Sequence, residues 1–313
     1  MSGSNLETVL IESLMPPPWM RFPGFPQACI GWRMGGGEDY VTRFWPWYRR
    51  LSADQQDEYQ RLFPAPKTWL LAYVQEWDED AWLAAEEGLF CVSSAYAVLY
   101  WEKAGVARYT RDWLIRQGAG DEPTFVAFWK PGEPDSPACL GQWQPSAFFL
   151  DGDRYSCAEQ YMMAEKARLF ADNDAEHRIM ATDDPATMKR LGKQVHGFDP
   201  AVWDQAKYPI VLNGNYAKFT QDDLLRRYLL STGDAVLVEA SPLDTIWGIG
   251  LGAANERLAD PSRWRGQNLL GFALMEVRDE IARVWANTAL IDWTQYPTNV
   301  DRVHWVQHPG QPR

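Results

Sequence analysis

From Glu159 the chain reads E-Q-Y-M-M-A-E-K-A-R-L-F, and no other stretch constrains the fold as much. At about 100° per residue, Glu159, Met162, Met163, Lys166, Leu169 and Phe170 share one helical stripe. Glu165, Arg168 and Asp172 are expected on the opposite, solvated face. Glu159 and Lys166 are nearly two turns apart, so both point the same way as the apolar side chains. Burying an unpaired carboxylate or ammonium is costly, and sequences rarely do it for packing alone. Each charge has a structural alternative. Ser156 and Glu159 have the spacing of a helix capping box, and Lys166 can run its stem along the helix to reach water. Otherwise, a cleft uses both groups.

The chain has 313 residues, enough for two modest domains or one large one, and its 46% hydrophobic content supports real cores. Seventeen Trp suit either aromatic cores or sites that stack on flat rings. A net charge of −12 with no Lys/Arg tract argues against extended duplex binding by counterion release. Nucleic acid is therefore expected only as a locally captured nucleotide. Cys29, Cys91, Cys139 and Cys157 are scattered and the four histidines dispersed, so neither a metal site nor a cofactor is expected. A reduced, cytoplasmic setting fits this cysteine usage. Glu7, Glu12 and the Pro16-Pro17-Pro18 break do not make a signal peptide. No stretch reaches the roughly 18 apolar residues of a membrane span, so no membrane partner is expected.

Residues 1–120 read as a mainly helical, Trp-rich region. Gly35-Gly36-Gly37 lacks a following G-K-[ST] and is read as a turn rather than a phosphate loop. A helical run spans Tyr40 to Tyr48, Ser52 opens another helix, and further helices are expected at 78–89 and 93–103. Gln117–Pro123 is the expected boundary. Strands follow at Thr124–Trp129 and Ala147–Leu150, with a turn at Asp151-Gly152. Beyond the Glu159 helix, helices are expected near 174–181, 185–193, 200–206, 208–218 and 221–231, then a strand at Val236–Glu239. The stripe Leu270, Ala273, Leu274, Val277, Ile281 marks a last helix from Asn268. Residues 286–313 are expected to form a weakly structured tail. The fold class is therefore α+β, helix-dominated with a few short strands, its second domain spanning 121–285.

Two further clusters join Glu159 and Lys166. Asp244 and Trp247 lie in the loop 239–252, where Gly248, Gly250 and Gly252 would let backbone approach a ligand; an elaborate turn is the alternative. Trp264–Asn268 opens the last helix, and Asn268 either meets an anion there or caps the helix. Trp203 offers a flat surface or core packing. Two carboxylates, a lysine and indoles suit cleavage of a glycosidic bond through an oxocarbenium-like state.

D-G-D-R-Y-S-C-A-E-Q-Y-M-M-A-E-K-A (151–167), S-P-L-D-T-I-W-G-I-G-L (241–251) and G-Q-N-L-L-G-F-A-L-M-E-V-R (266–278) resemble the NADAR, or YbiA-like, superfamily. Leu191-Gly192-Lys193 through Trp203, and Asn215–Phe219, extend the resemblance to about residues 124–283. It implies a YbiA-like fold and an N-glycosidase, acting either on ADP-ribosylated guanine or on phosphoribosylamino-pyrimidine intermediates of riboflavin synthesis. Glu159, Lys166, Asp244 and Trp247 fall on the family's active-site positions, and Trp203 on a further tryptophan position. Gly141 stands where members commonly carry serine, leaving Gln142 and Trp143 available to substrate. The expectation is removal of ADP-ribose from guanine by Glu159, Lys166 and Asp244. Gln142, Trp143, Trp203, Trp247, Gly248, Gly250 and Asn268 are expected to bind the substrate. The rival readings are a non-catalytic ADP-ribose or NAD sensor, and a partner of a toxin or phage-defence system contacted through the N-terminal region.

Overall fold

The structure, a computed structural model, describes residues 14–27, 29–69, 72–73, 109–117 and 123–296. The expected helices at 78–89 and 93–103, Cys91, most of the 117–123 boundary and the prolines of the tail lie outside the described residues.

The N-terminal part is built from aromatic rings. A short helix α1 (Pro18–Arg21) is followed by α2 (Gly36–Arg49), whose N-cap Gly35 has φ +88. That left-handed backbone is what the triple glycine supplies. Helix α3 (Ala53–Leu62) starts at Ser52 with a complete Ser52–Gln55 capping box. Tyr40, Phe44, Tyr48 and Tyr59 are buried and contact one another's rings, with Trp47 and Tyr73 packed beside them. Helix α4 (Arg111–Gln117) follows.

Next, β1 (Phe125–Phe128) pairs in parallel with β4 (Val236–Glu239), in register Phe125↔Val236 to Phe128↔Glu239. A parallel pair needs a long crossover, and everything between the two strands forms it. An antiparallel hairpin comes first, β2 (Phe148–Leu150) with β3 (Asp153–Tyr155), turning through Asp151 and Gly152 in left-handed backbone. Helices α5 (Ala158–Leu169), α6 (Asn173–Met180), α7 (Pro185–Gly192), α8 (Pro200–Gln221) and α9 (Asp223–Ser231) complete it. Helix α10 (Leu269–Val284) lies across β4 and α8. The protein is α+β, with helices dominating a few short strands.

Four expectations are corrected. The expected helices 200–206 and 208–218 are one helix, α8, running through Pro209. Its missing N–H frees only the carbonyl of Gln205, an exposed residue that water can reach, while the following turns are buried. The polar side of α5 is not solvated: Glu165 and Asp172 are buried. Arg168 bridges Glu165 at 2.6 Å, Asp153 at 2.7 Å and Glu176 at 2.8 Å, and donates to the Tyr155 hydroxyl at 2.7 Å. Paired in this way the charges can be enclosed, whereas Leu169 of the supposed apolar stripe is exposed. Residues 287–296 are not loose either, since Ile291 is buried and Trp293 and Tyr296 pack on the core.

The N-terminal part shares one continuous apolar core with the rest. Backbone and side chains tie it to the end of α10: Lys67 N–H donates to Glu280 (2.7 Å), Arg283 to the Ala65 carbonyl (2.8 Å) and Asn287 to the Leu62 carbonyl (2.8 Å).

Candidate active site

Helix α5 starts at N-cap Cys157, which makes no side-chain cap bond. Gln160, not Glu159, answers Ser156: its Oε1 accepts from the Ser156 N–H at 2.7 Å and hydroxyl at 3.0 Å. Its Nε2 donates to the carbonyls of Ile179, Met180 and Thr182, pinning the end of α6. Glu159 is thereby released from any capping duty. Its side chain is buried, and Oε1 has no hydrogen-bond partner. Burial raises its carboxyl to about 7; Lys189 and a hydrogen bond from Trp143 oppose the rise, and Asp244 adds to it.

Asp244 reaches the same place from the loop after β4. Its Oδ1 accepts from the N–H groups of Ile246 (3.0 Å) and Trp247 (2.8 Å), which fixes the turn. Its Oδ2 lies 3.4 Å from the Lys189 ammonium, which in turn sits 6.0 Å from the Trp143 ring centre. A third carboxyl, Glu239 at the end of β4, joins them. It is pushed up to about 8 by burial and by Asp244, against Lys189, with Glu159 raising it further, and its Oε2 is buried without a partner. Three acids around one lysine favour a proton held among them at neutral pH.

Lys166 points from the same face of α5, about 10 Å further along the axis. It is 9% exposed, with its ammonium 4.1 Å from the Phe198 ring centre and 5.4 Å from that of Trp203. Burial lowers its pKa, and no acidic partner is found for it among the described residues. Aromatic faces take the place of a counter-ion beside its ammonium.

The remaining expected ligands divide. Trp143 lines the carboxylate cluster, Trp203 lines the Lys166 patch, and Trp247 is half-buried beside Asp244. Gln142 is buried, taking a hydrogen bond from Asn215 (3.2 Å) and contacting the Met162 sulfur (3.8 Å), while its carbonyl receives the Glu159 N–H (3.0 Å). It therefore positions the start of α5. The buried Lys218 holds the same loop through the carbonyls of Cys139 (2.7 Å) and Gly141 (3.0 Å).

Two of the expected glycine positions are closely packed. A Cβ on Gly248 would stand 2.8 Å from the Glu239 carbonyl oxygen, and one on Gly250, whose φ is +68, 2.8 Å from the Arg265 Cβ. These glycines let the loop fold closely on itself. Asn268 stands at the N-cap of α10, but its side chain makes no capping bond there and turns to β4 instead. It is fully buried in left-handed backbone, accepting from Glu239 N–H (3.0 Å) and donating to the Leu237 carbonyl (2.9 Å).

The sequence reading missed Lys189, Glu239 and Phe198. Glu239 alone carried a signal, an acid at a strand's end leading into the Asp244 loop. Lys189 lies on an ordinary amphipathic helix, and nothing local marks it.

A model of the NADAR domain matches residues 127–282. The chain is 45% identical over 146 residues to N-glycosidase R617 of Acanthamoeba polyphaga mimivirus, covering 45% of this chain and 86% of that protein. It is 30% identical over 133 residues to N-glycosidase YbiA of Escherichia coli (strain K12), covering 42% and 74% respectively. The solved NMR structure of the E. coli protein YbiA superimposes with a TM-score of 0.43 at 26% identity, covering 52% of this chain and 88% of that one. The matched relatives, together with the domain match, make this chain a member of the NADAR domain family and an N-glycosidase.

Proposed function

We propose that the protein hydrolyses the N-glycosidic bond of ADP-ribosylated guanine, releasing ADP-ribose from the base. One observation carries this reading: Glu159, enclosed with an unpaired oxygen and a carboxyl raised to about 7, lies on the same helix face as the enclosed amine Lys166. A carboxyl near neutrality is matched to giving a proton and taking it back. As the C1–N bond breaks, its electron pair goes to the guanine nitrogen, and Glu159 supplies the proton. The sugar passes through an oxocarbenium-like state that the Asp244 carboxylate faces. Water then adds to C1 and returns its proton to Glu159.

Lys166 is set about 10 Å along the helix, which suits an anion several bonds from the scissile one. It binds the diphosphate, with Phe198 and Trp203 offering flat faces to adenine and Trp143 one to the departing base. The preference for ADP-ribosylated guanine rests on these two separate aromatic patches.

The test is incubation of the purified protein with an ADP-ribosyl-guanine oligonucleotide and, separately, with the phosphoribosylamino-pyrimidine, read by mass spectrometry. Free ADP-ribose is the expected product, and Lys166→Ala should lower kcat/KM about 100-fold. Cleavage of the pyrimidine alone would reject the substrate, and an unimpaired Lys166→Ala would reject the site. Borohydride added during turnover should trap no imine on Lys166; a covalent adduct there would replace its diphosphate role with a nucleophilic one.

A further inference from the structure

Helix α8 carries a buried lysine for which the proposed reaction has no use. Lys218 is 1% exposed, and no carboxylate is bonded to it among the described residues. Its ammonium donates to the carbonyls of Cys139 at 2.7 Å and Gly141 at 3.0 Å. These carbonyls lie at the end of a single 3-10 turn (Pro137–Leu140), where backbone acceptors lack partners of their own and a cation is favoured. Enclosing an ammonium with no carboxylate beside it is costly, and a methionine would fill the same space without that cost. What the charge secures is the path of the residues that follow the turn.

That path is clamped on both sides. Beyond it, the Gln144 side chain accepts from the Gly132 N–H and donates to the Gly132 carbonyl, both at 2.9 Å. Asn215, on the same face of α8 and nearly one turn before Lys218, donates to the Gln142 side chain at 3.2 Å. Between the clamps stand Gln142 and Trp143, and both grip Glu159. The Gln142 carbonyl accepts the Glu159 N–H at 3.0 Å, and the Trp143 indole donates to the Glu159 carboxyl. Neither Lys218 bond is to Glu159. Any influence of the lysine therefore passes through this segment or through space.

We propose that Lys218 is a positioning residue for Glu159, acting through residues 139–143 to set the Trp143 indole against the carboxyl. The proposal rests on the reading of Glu159 as the acid of the reaction. A hydrogen bond from Trp143 favours the ionised carboxylate, so it holds Glu159 lower than burial alone would. Lys189, Asp244 and Glu239 face the same carboxyl, and Cys139, Cys157 and Asp222 surround Lys218. None of these six side chains is changed in the variants that follow.

The experiment titrates the Glu159 carboxyl by NMR in the full chain, labelled with carbon-13 at the glutamate carboxyls, its signal identified by loss in Glu159→Gln. Lys218→Met and Trp143→Phe should each raise the proton affinity of Glu159 about tenfold, moving its midpoint up by about one pH. Combined, they should raise it no further, because both remove the same contact. A midpoint left in place by Lys218→Met would make the lysine a staple of the fold alone, and the proposal falls. Shifts that add would mean that its charge acts through space, which overturns the proposal equally. Should Lys218→Met fail to fold, Lys218→Gln enters the same cycle. Its amide can still donate to one carbonyl, so a smaller shift is expected, with the same two refuting outcomes. The titration needs no substrate: its failure leaves the cleavage of ADP-ribosyl-guanine standing, and a failure of that cleavage leaves the titration to decide the role of Lys218.

Discussion

Replacing Glu159 by Gln should make the protein relatively more stable as pH rises, even as it stops turnover. Burial moves this carboxyl from its ordinary 4.5 to about 7 in the folded state. The folded protein therefore favours the protonated acid. That contribution is complete below the unfolded value and is lost as pH climbs through the folded one. The gap corresponds to about 3 kcal/mol by which the wild type is penalised at alkaline pH, a penalty that a neutral amide does not incur. The amide brings a cost of its own, because a nitrogen at the buried Oε1 position has no acceptor there. This cost does not vary with pH. The decisive quantity is therefore the difference in unfolding free energy between variant and wild type, followed from about pH 4.5 to about pH 8.5 by urea denaturation with unchanged slopes. It should rise by up to about 3 kcal/mol in favour of Gln, most of it between about pH 5 and about pH 7.5. A difference that stays flat would refute the account, since it would mean that Glu159 ionises in the folded protein as it does in water.

Two further outcomes follow from the same geometry. Lys189→Met removes the cation that opposes the rise at Glu159 and Glu239, so the pH–rate profile should move to higher pH, with most of its activity retained at the new optimum. A profile that stays in place would separate Lys189 from the acids. Asn268→Ala orphans the Glu239 N–H and the Leu237 carbonyl inside the protein, and should cost about 2–4 kcal/mol in thermal or urea unfolding. A loss confined to substrate affinity would return Asn268 to the cleft.

Much of this protein is legible along the chain. The stripe from Leu270 to Ile281, the apolar run at β4 and the Ser52 start of α3 are local patterns, and each becomes the element it implies. Glu159 and Lys166 are legible for the same reason: helical phase alone places both on an inward face, and both are buried. Tertiary contact decides the rest. Periodicity reports which side of a helix is apolar, but not whether the polar side is also enclosed, as it is around Arg168. Whether Glu159 or Gln160 answers Ser156 depends on the carbonyls of α6 that hold Gln160. Lys189 meets Asp244 across 55 residues of sequence, a pairing that no local pattern encodes. The glycines of the Asp244 loop and Asn268 carry residue types that suit a ligand site, yet they serve the loop and β4. A short-range pattern can determine which way a side chain points, but the partner it finds, and hence its proton affinity and its freedom to act, depends on chain that is distant in sequence and near only after folding.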